Sequence, residues 1–191
     1  MKNPKIEVMK LIERSGAEAK VTYPYHFESS AEVPAPPAAL FAEIDDPSRL
    51  GEHMTTSSFM MAGSKMTYSY DEAGGKAVGS KIRMSGSMLG FDLGLEEIVT
   101  ERVPPFRKVW ETIGDPRLLV IGSYRMGFEI TPLVGGSRLK LFIDWREPSA
   151  PWRWLSRLLG PAYARWCTES MAKGVAASLA HRPTSQAKVA A

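Results

Sequence analysis

The sequence predicts an α+β domain in which a curved antiparallel sheet wraps around one long C-terminal helix. Three observations predict it. From Ser64 to Glu147 apolar residues recur at every second position, in runs parted by short breaks, as consecutive antiparallel strands require. From Leu155 to Leu179 the period changes to three-to-four and draws one unbroken apolar stripe. A helix so striped has to be buried, and the concave face of the sheet is the only large surface on offer.

Residues 1–18 read as an extension ahead of the domain. Met1 to Ser15 mixes charges with Ile6, Met9, Leu11 and Ile12, so it lacks the continuous apolar centre of a signal peptide. Asn3-Pro4 offers a cap and a first-turn proline, and a short amphipathic helix is expected as far as Gly16. A single domain is expected over 19–181. Residues 182–191, with Pro183 and no apolar stripe, read as a flexible tail.

Within the domain, Val21 to Phe27 is β-branched and aromatic, a first strand on an edge because Pro24 has no N–H to give. Pro34, Pro36 and Pro37 end it, and Ala38 to Ile44 reads as a short helix. A second short helix starts at Asp46, its N-cap, with Pro47 in the first helical position. Met66, Tyr68 and Tyr70 alternate with polar residues until Glu72-Ala73-Gly74-Gly75 turns the chain. Ile82, Met84, Gly86 and Met88 make the next strand. Phe91, Leu93, Leu95, Glu97 and Val99 make the one after, closed by Pro104-Pro105. Val109 to Ile113, Leu118 to Ile130 and Leu139 to Trp145 supply three more, parted by Gly114-Asp115-Pro116 and by Gly135-Gly136. In the last helix Pro161 cannot donate to the Arg157 carbonyl, so a kink, or a short helix meeting a long one, is expected there. Leu159, Tyr163, Trp166 and Val175 are expected on its buried side, Arg165 and Lys173 on its wet side.

Composition excludes several classes. The chain has 191 residues, 44% hydrophobic and 24% charged, enough for one sizeable core. Its apolar runs are too short to span a bilayer as a helix. One cysteine, Cys167, rules out an internal disulfide and a multi-cysteine zinc site. A formal charge of +3 is too small an excess to imply nucleic acid. A cytoplasmic protein is the expectation.

The order of elements over Val21 to Leu179 resembles the helix-grip fold of the START/Bet v 1-like (SRPBCC) superfamily, in particular its polyketide cyclase/dehydrase and lipid-transport members. The most specific stretch runs from Glu96-Glu97-Ile98-Val99 through Val103-Pro104-Pro105 to Lys108-Val109-Trp110-Glu111-Thr112. It continues through Gly114, Pro116, Leu118, Ile121-Gly122, Tyr124 and Met126-Gly127-Phe128, and closes at Tyr163, Trp166 and Met171. Val33-Pro34-Ala35-Pro36-Pro37, then Leu40-Phe41 and Asp46-Pro47, are similar to that superfamily's passage from first strand to helices. The resemblance implies an internal cavity for an apolar molecule. One scaffold there serves carriers, receptors, cyclases and chaperone-like modules, so the fold by itself does not select among them.

The residues carry no strong catalytic signature. Gly86-Ser87-Met88-Leu89-Gly90 lies between strand residues and lacks the Lys-Ser/Thr of a phosphate loop. His26, His53 and His181 have no metal-ligand spacing, and neither a metal nor a cofactor is expected. Cys167, on the buried stripe without a neighbouring base, reads as an inert thiol. Strand-borne charges, among them Arg83, Glu97, Glu111, Arg125, Glu129 and Asp144, read as a convex face tied by cross-strand ion pairs. The alternative puts Arg125 or Glu111 inside the cavity as a polar anchor. Aromatic and methionine side chains at inward positions suit an adaptable apolar wall. The expected ligand-binding set is Tyr68, Met84, Trp110, Tyr124, Met126, Tyr163 and Trp166, joined by His53 at the cavity mouth. Trp152 and Trp154, beside Arg153 and Arg157, read as a lid or helix start, with peripheral membrane contact as the alternative.

The leading expectation is therefore a non-catalytic carrier of a lipid, isoprenoid or polyketide-like molecule. A cyclase or dehydratase using Tyr124, Arg125 or His53 is the second, since such chemistry needs little beyond shape and one acid/base group. An interaction or stress-related module is the third.

Overall fold

The structure, a computed structural model, describes residues 21–50, 66–88, 90–149 and 151–180. The expected N-terminal helix, the tail, His53 and His181 lie outside the described residues. The elements are β1 (Tyr25–Val33), α1 (Pro37–Ile44), α2 (Pro47–Leu50), β2 (Met66–Tyr70), β3 (Lys81–Met88), β4 (Phe91–Val103), β5 (Arg107–Arg117), β6 (Tyr124–Leu133), β7 (Gly136–Trp145) and α3 (Arg153–Ala180). The strands form one antiparallel sheet in the order β1-β7-β6-β5-β4-β3-β2. β2 to β7 follow one another as a meander. β1 closes the far edge on β7, so the chain carrying α1 and α2 crosses from one edge to the other.

Two register shifts between β4 and β5, at Gly94/Glu96 with the extra residues on β5 and at Val99/Glu101 with one extra on β4, bend the sheet. The hollow so formed is filled by α1 and α3. Leu40 and Ile44 of α1 are fully buried, and Phe41 meets Phe128 of β6 edge-on at 5.6 Å. Met171 and Val175 of α3 join the same core. Ser178 of α3 donates to Glu43 of α1, which ties the end of the long helix to the short one.

Capping at α2 is as the residues predict, with the Asp46 carboxylate taking the Ser48 N–H at 3.0 Å. Asp71 closes the loop between β2 and β3, accepting from Ser80 Oγ at 2.6 Å and from the Lys81 N–H at 2.8 Å. Gly75 in that loop is required twice over. Its φ is +71°, and a Cβ would stand 2.8 Å from Pro47 and 2.9 Å from Ile82.

Four expectations are corrected. The first strand begins at Tyr25, because Pro24 cannot donate, and runs on through the polar Glu28-Ser29-Ser30-Ala31-Glu32 to Val33. There backbone pairing with β7, from Tyr25↔Trp145 to Val33↔Ser137, outweighs weak strand propensity. Gly114-Asp115-Pro116 does not end β5, since the long β4 still offers it a partner at Gly94↔Arg117. Residues 118–123 are instead a connection, and β6 starts at Tyr124. Finally, α3 runs through Pro161 as one element, so no short helix meets a long one there, and its phase is turned relative to the expected stripe. Ser156, Ala164 and Thr168 are buried, whereas Leu158 and Leu159 are 69% and 41% exposed. Tyr163 and Trp166 are half-buried, Val175 is buried, and Arg165 and Lys173 face solvent.

Candidate functional site

Between the concave face of the sheet and α3 lies a cavity of about 80 Å³. Alternation along each strand supplies its wall, because every second side chain points inward. Tyr68 comes from β2, Met84 from β3, Leu95 from β4, Trp110 from β5, and Tyr124 and Met126 from β6. α3 adds Tyr163, Cys167 and Met171, and the 118–123 connection adds Leu118 and Ile121. Six of the eight residues expected to bind a ligand thus surround one space. Trp166 does not. It is half-buried, its ring 5.7 Å from that of Tyr163, one step round the helix from the cavity. His53 lies outside the described residues.

A buried carboxyl is set into this wall. Glu97 of β4 is 4% exposed and takes the Tyr124 hydroxyl and the Trp110 indole N–H. Burial pushes its pKa up to about 7, because these neutral donors only partly offset the lost hydration of the ionised form. Beside it, Tyr124 is itself fixed from behind. Its N–H donates to Thr112 Oγ1 at 3.0 Å, which extends the β5–β6 ladder one step past Glu111↔Arg125. Burial, with the Glu97 carboxyl next, holds the Tyr124 phenol well above its ordinary range, so it stays a donor. Tyr68 and Tyr163 are likewise shifted up, chiefly by burial. Cys167 is pushed up to about 12 by burial, which keeps the thiol protonated and unreactive.

Lys108 also borders the cavity, but its charge is engaged elsewhere. Its Nζ donates to the Asp45 carbonyl at 2.8 Å, to Asp45 Oδ1 at 3.0 Å and to the Gly75 carbonyl at 3.0 Å. Arg102 holds the other Asp45 oxygen at 2.8 Å. This cluster clamps the end of α1 onto the start of β5.

The sequence reading missed Glu97 and Lys108 as inward groups. The signal was present. Glu97 has the parity of Leu93, Leu95 and Val99, and Lys108 has that of Trp110. Arg125 and Glu111, the anchors named as the alternative, share the outer face. There Arg125 pairs with Asp144 at 2.7 Å, Lys140 with Glu129 at 2.6 Å and Arg83 with Glu96 at 3.0 Å. The cross-strand network is the one expected of a solvated convex face. Among the described residues no three metal-ligating side chains converge, and no helix is long and apolar enough to cross a membrane.

No protein-family model matches the chain, and no curated protein is similar to it in sequence. Solved structures are similar. An aromatase/cyclase from Streptomyces sp. R1128 superposes with a TM-score of 0.62 at 12% identity, over 83% of this chain and 94% of that one. Truncated norcoclaurine synthase from Thalictrum flavum gives 0.61 at 15% identity, over 86% and 99%. A Thermus thermophilus protein gives 0.59 at 15% identity, over 82% and 97%. These likenesses show the fold: like those proteins, the chain is a helix-grip domain, a curved antiparallel sheet around one long helix.

Proposed function

We propose that the chain binds an apolar small molecule in this cavity and carries or sequesters it without transforming it. The observation that carries the reading is a largely apolar wall into which, among the described residues, one buried carboxyl is set, Glu97 with Tyr124. Apolar surfaces would hold the body of a lipid, isoprenoid or polyketide-like ligand, and the neutral carboxyl would meet one carbonyl or hydroxyl group. Tyr68, Met84, Trp110, Met126 and Tyr163 are the proposed contacts. At about 80 Å³ the space is smaller than the roughly 150 Å³ that admits benzene. Occupancy therefore requires side chains to move, and Met84, Met126 and Met171 are the ones with low rotational cost.

Titration with a fluorescent fatty acid or a hydrophobic dye tests this. Burial at ~25 cal/mol per Å² supports micromolar binding with weak salt dependence. Trp110→Ala should weaken uptake at least about tenfold, whereas Arg138→Ala on the convex face should leave it unchanged. A folded protein that takes up no apolar probe would overturn the reading and favour an interaction module.

A second reading has its own support. A carboxyl titrating near pH 7 beside a phenol, in a water-poor space, suits general acid–base work on an enolisable ketone. Protonated Glu97 would donate to a carbonyl oxygen, and ionised Glu97 would take a proton from an acidic C–H. Loss of polyketone cyclisation in Glu97→Gln, with probe binding retained, would select the enzyme over the carrier.

A further inference from the structure

The first turns of α3 present apolar residues on the side where a surface helix normally carries charge. Ser156, Gly160, Ala164 and Thr168 form the packed side. Gly160 permits close contact, since a Cβ there would stand 3.3 Å from Trp145 Nε1. Away from that side stand Trp154, Leu158 and Leu159, 63%, 69% and 41% exposed. Trp154 and Leu158 are one turn apart, and Leu159 extends the patch around the helix. Farther along, the solvent side becomes charged, with Glu169 pairing Arg165 at 2.8 Å and Lys173 at 3.5 Å. The apolar surface is confined to the start of the helix.

Guanidinium groups neighbour it along the helix. Arg153 and Arg157 each donate to Glu147, at 2.8 and 2.7 Å. The carboxylate is sunk at 12% exposure, while the two guanidinium side chains stand at 59% and 64%. Arg165 at 67% overtops Glu169 at 34% in the same way. Three arginines thus stand beside the indole and two leucines on the same helix, each more exposed than the carboxylate it pairs with. A second copy packed on this face about a two-fold axis would set like charges against each other. An anionic bilayer would not: its acyl boundary takes the indole and leucines, and its phosphates take the arginines.

We propose that this face docks on an anionic phospholipid surface, with Trp154, Leu158 and Leu159 as anchors. Trp152 is not one of them, because its ring packs edge-on against Phe91 at 5.1 Å. The inference stands whether or not the cavity takes a ligand.

Co-sedimentation of the full chain with phosphatidylcholine vesicles, with and without phosphatidylserine, tests it. The protein should pellet with the phosphatidylserine vesicles, several-fold less with the neutral ones, and less again as salt rises. Trp154→Ser combined with Leu158→Ser should reduce binding at least about tenfold. Arg153→Gln with Arg157→Gln should abolish the preference for phosphatidylserine. Thermal unfolding confirms that these surface variants still fold. Val134→Ser, at the exposed β6–β7 turn, should bind as the parent does. Failure to pellet with either vesicle, or equal pelleting of the Trp154/Leu158 variant, overturns the proposal. So does a concentration-dependent dimer that Trp154→Ser dissolves, since the patch would then belong to a second copy.

Discussion

Asp45 and Glu97 are buried to nearly the same degree, 6% and 4% exposed, yet their carboxyls shift in opposite directions. Burial pushes both upward. At Asp45 that push is overcome by hydrogen bonds and charge from Arg102 and Lys108, and the group sits below its ordinary value. At Glu97 the contacts are a phenol and an indole, and burial wins. Lys108 lies near enough to act on Glu97 through space, but its donors are taken by Asp45 and Gly75. Depth alone therefore does not decide ionisation in this protein; the charge of the partner does. One corner is built as a permanent ion cluster that fixes α1, the other as an acid beside the cavity that holds its proton up to about pH 7.

The largest effect should come from breaking the ion cluster. Lys108→Met leaves Asp45 to Arg102 alone, strands the Gly75 carbonyl and should cost about 3–5 kcal/mol in denaturant unfolding. A loss below about 1 kcal/mol would mean that Arg102 alone satisfies Asp45.

Next comes the pH dependence of Glu97. Below its ordinary value of 4.5 both folded and unfolded forms are protonated, and burial carries no penalty. Between about 4.5 and 7 the unfolded chain gives up its proton while the native carboxyl keeps it, so stability falls as pH rises. Above 7 the loss is complete, on the order of 3 kcal/mol. Glu97→Gln should remove this slope, so the variant should gain on the parent by that amount between pH 4.5 and 8. Parallel stability curves would show that folding does not shift the Glu97 pKa.

The smallest effect belongs to Tyr124→Phe. Loss of the hydroxyl removes a donor to Glu97, costs about 1 kcal/mol and moves the Glu97 midpoint above 7. Carboxyl chemical shifts followed against pH would register the midpoint, and an unmoved value would assign its position to Trp110 and burial alone.

Much of this was legible beforehand. Alternation at Met84, Trp110, Tyr124 and Met126 is a local property, and these side chains face one space as their spacing requires. The same rule, followed strictly, also sends Glu97 inward, but ion-pair logic for strand charges drew it to the convex face. The α3 stripe was less legible. Leu155, Leu158 and Leu159 share one side of the helix by spacing, yet Leu158 and Leu159 are exposed, so periodicity there did not fix the phase. Packing against Trp145 and the 118–123 connection fixed it, through the small Ser156 and Gly160.

The sequence by itself determined the antiparallel sheet, its order of strands along the chain, the long closing helix and the apolar character of the interior. These follow from periods of two and of three-to-four, which are set by residues a few positions apart. Only the tertiary structure decided which buried carboxyl is charged and which face of α3 is left bare. The partners that settle Asp45 lie 57 and 63 positions away, at Arg102 and Lys108. Coulombic energy depends on distance in space, and the sequence specifies that distance only through the completed fold.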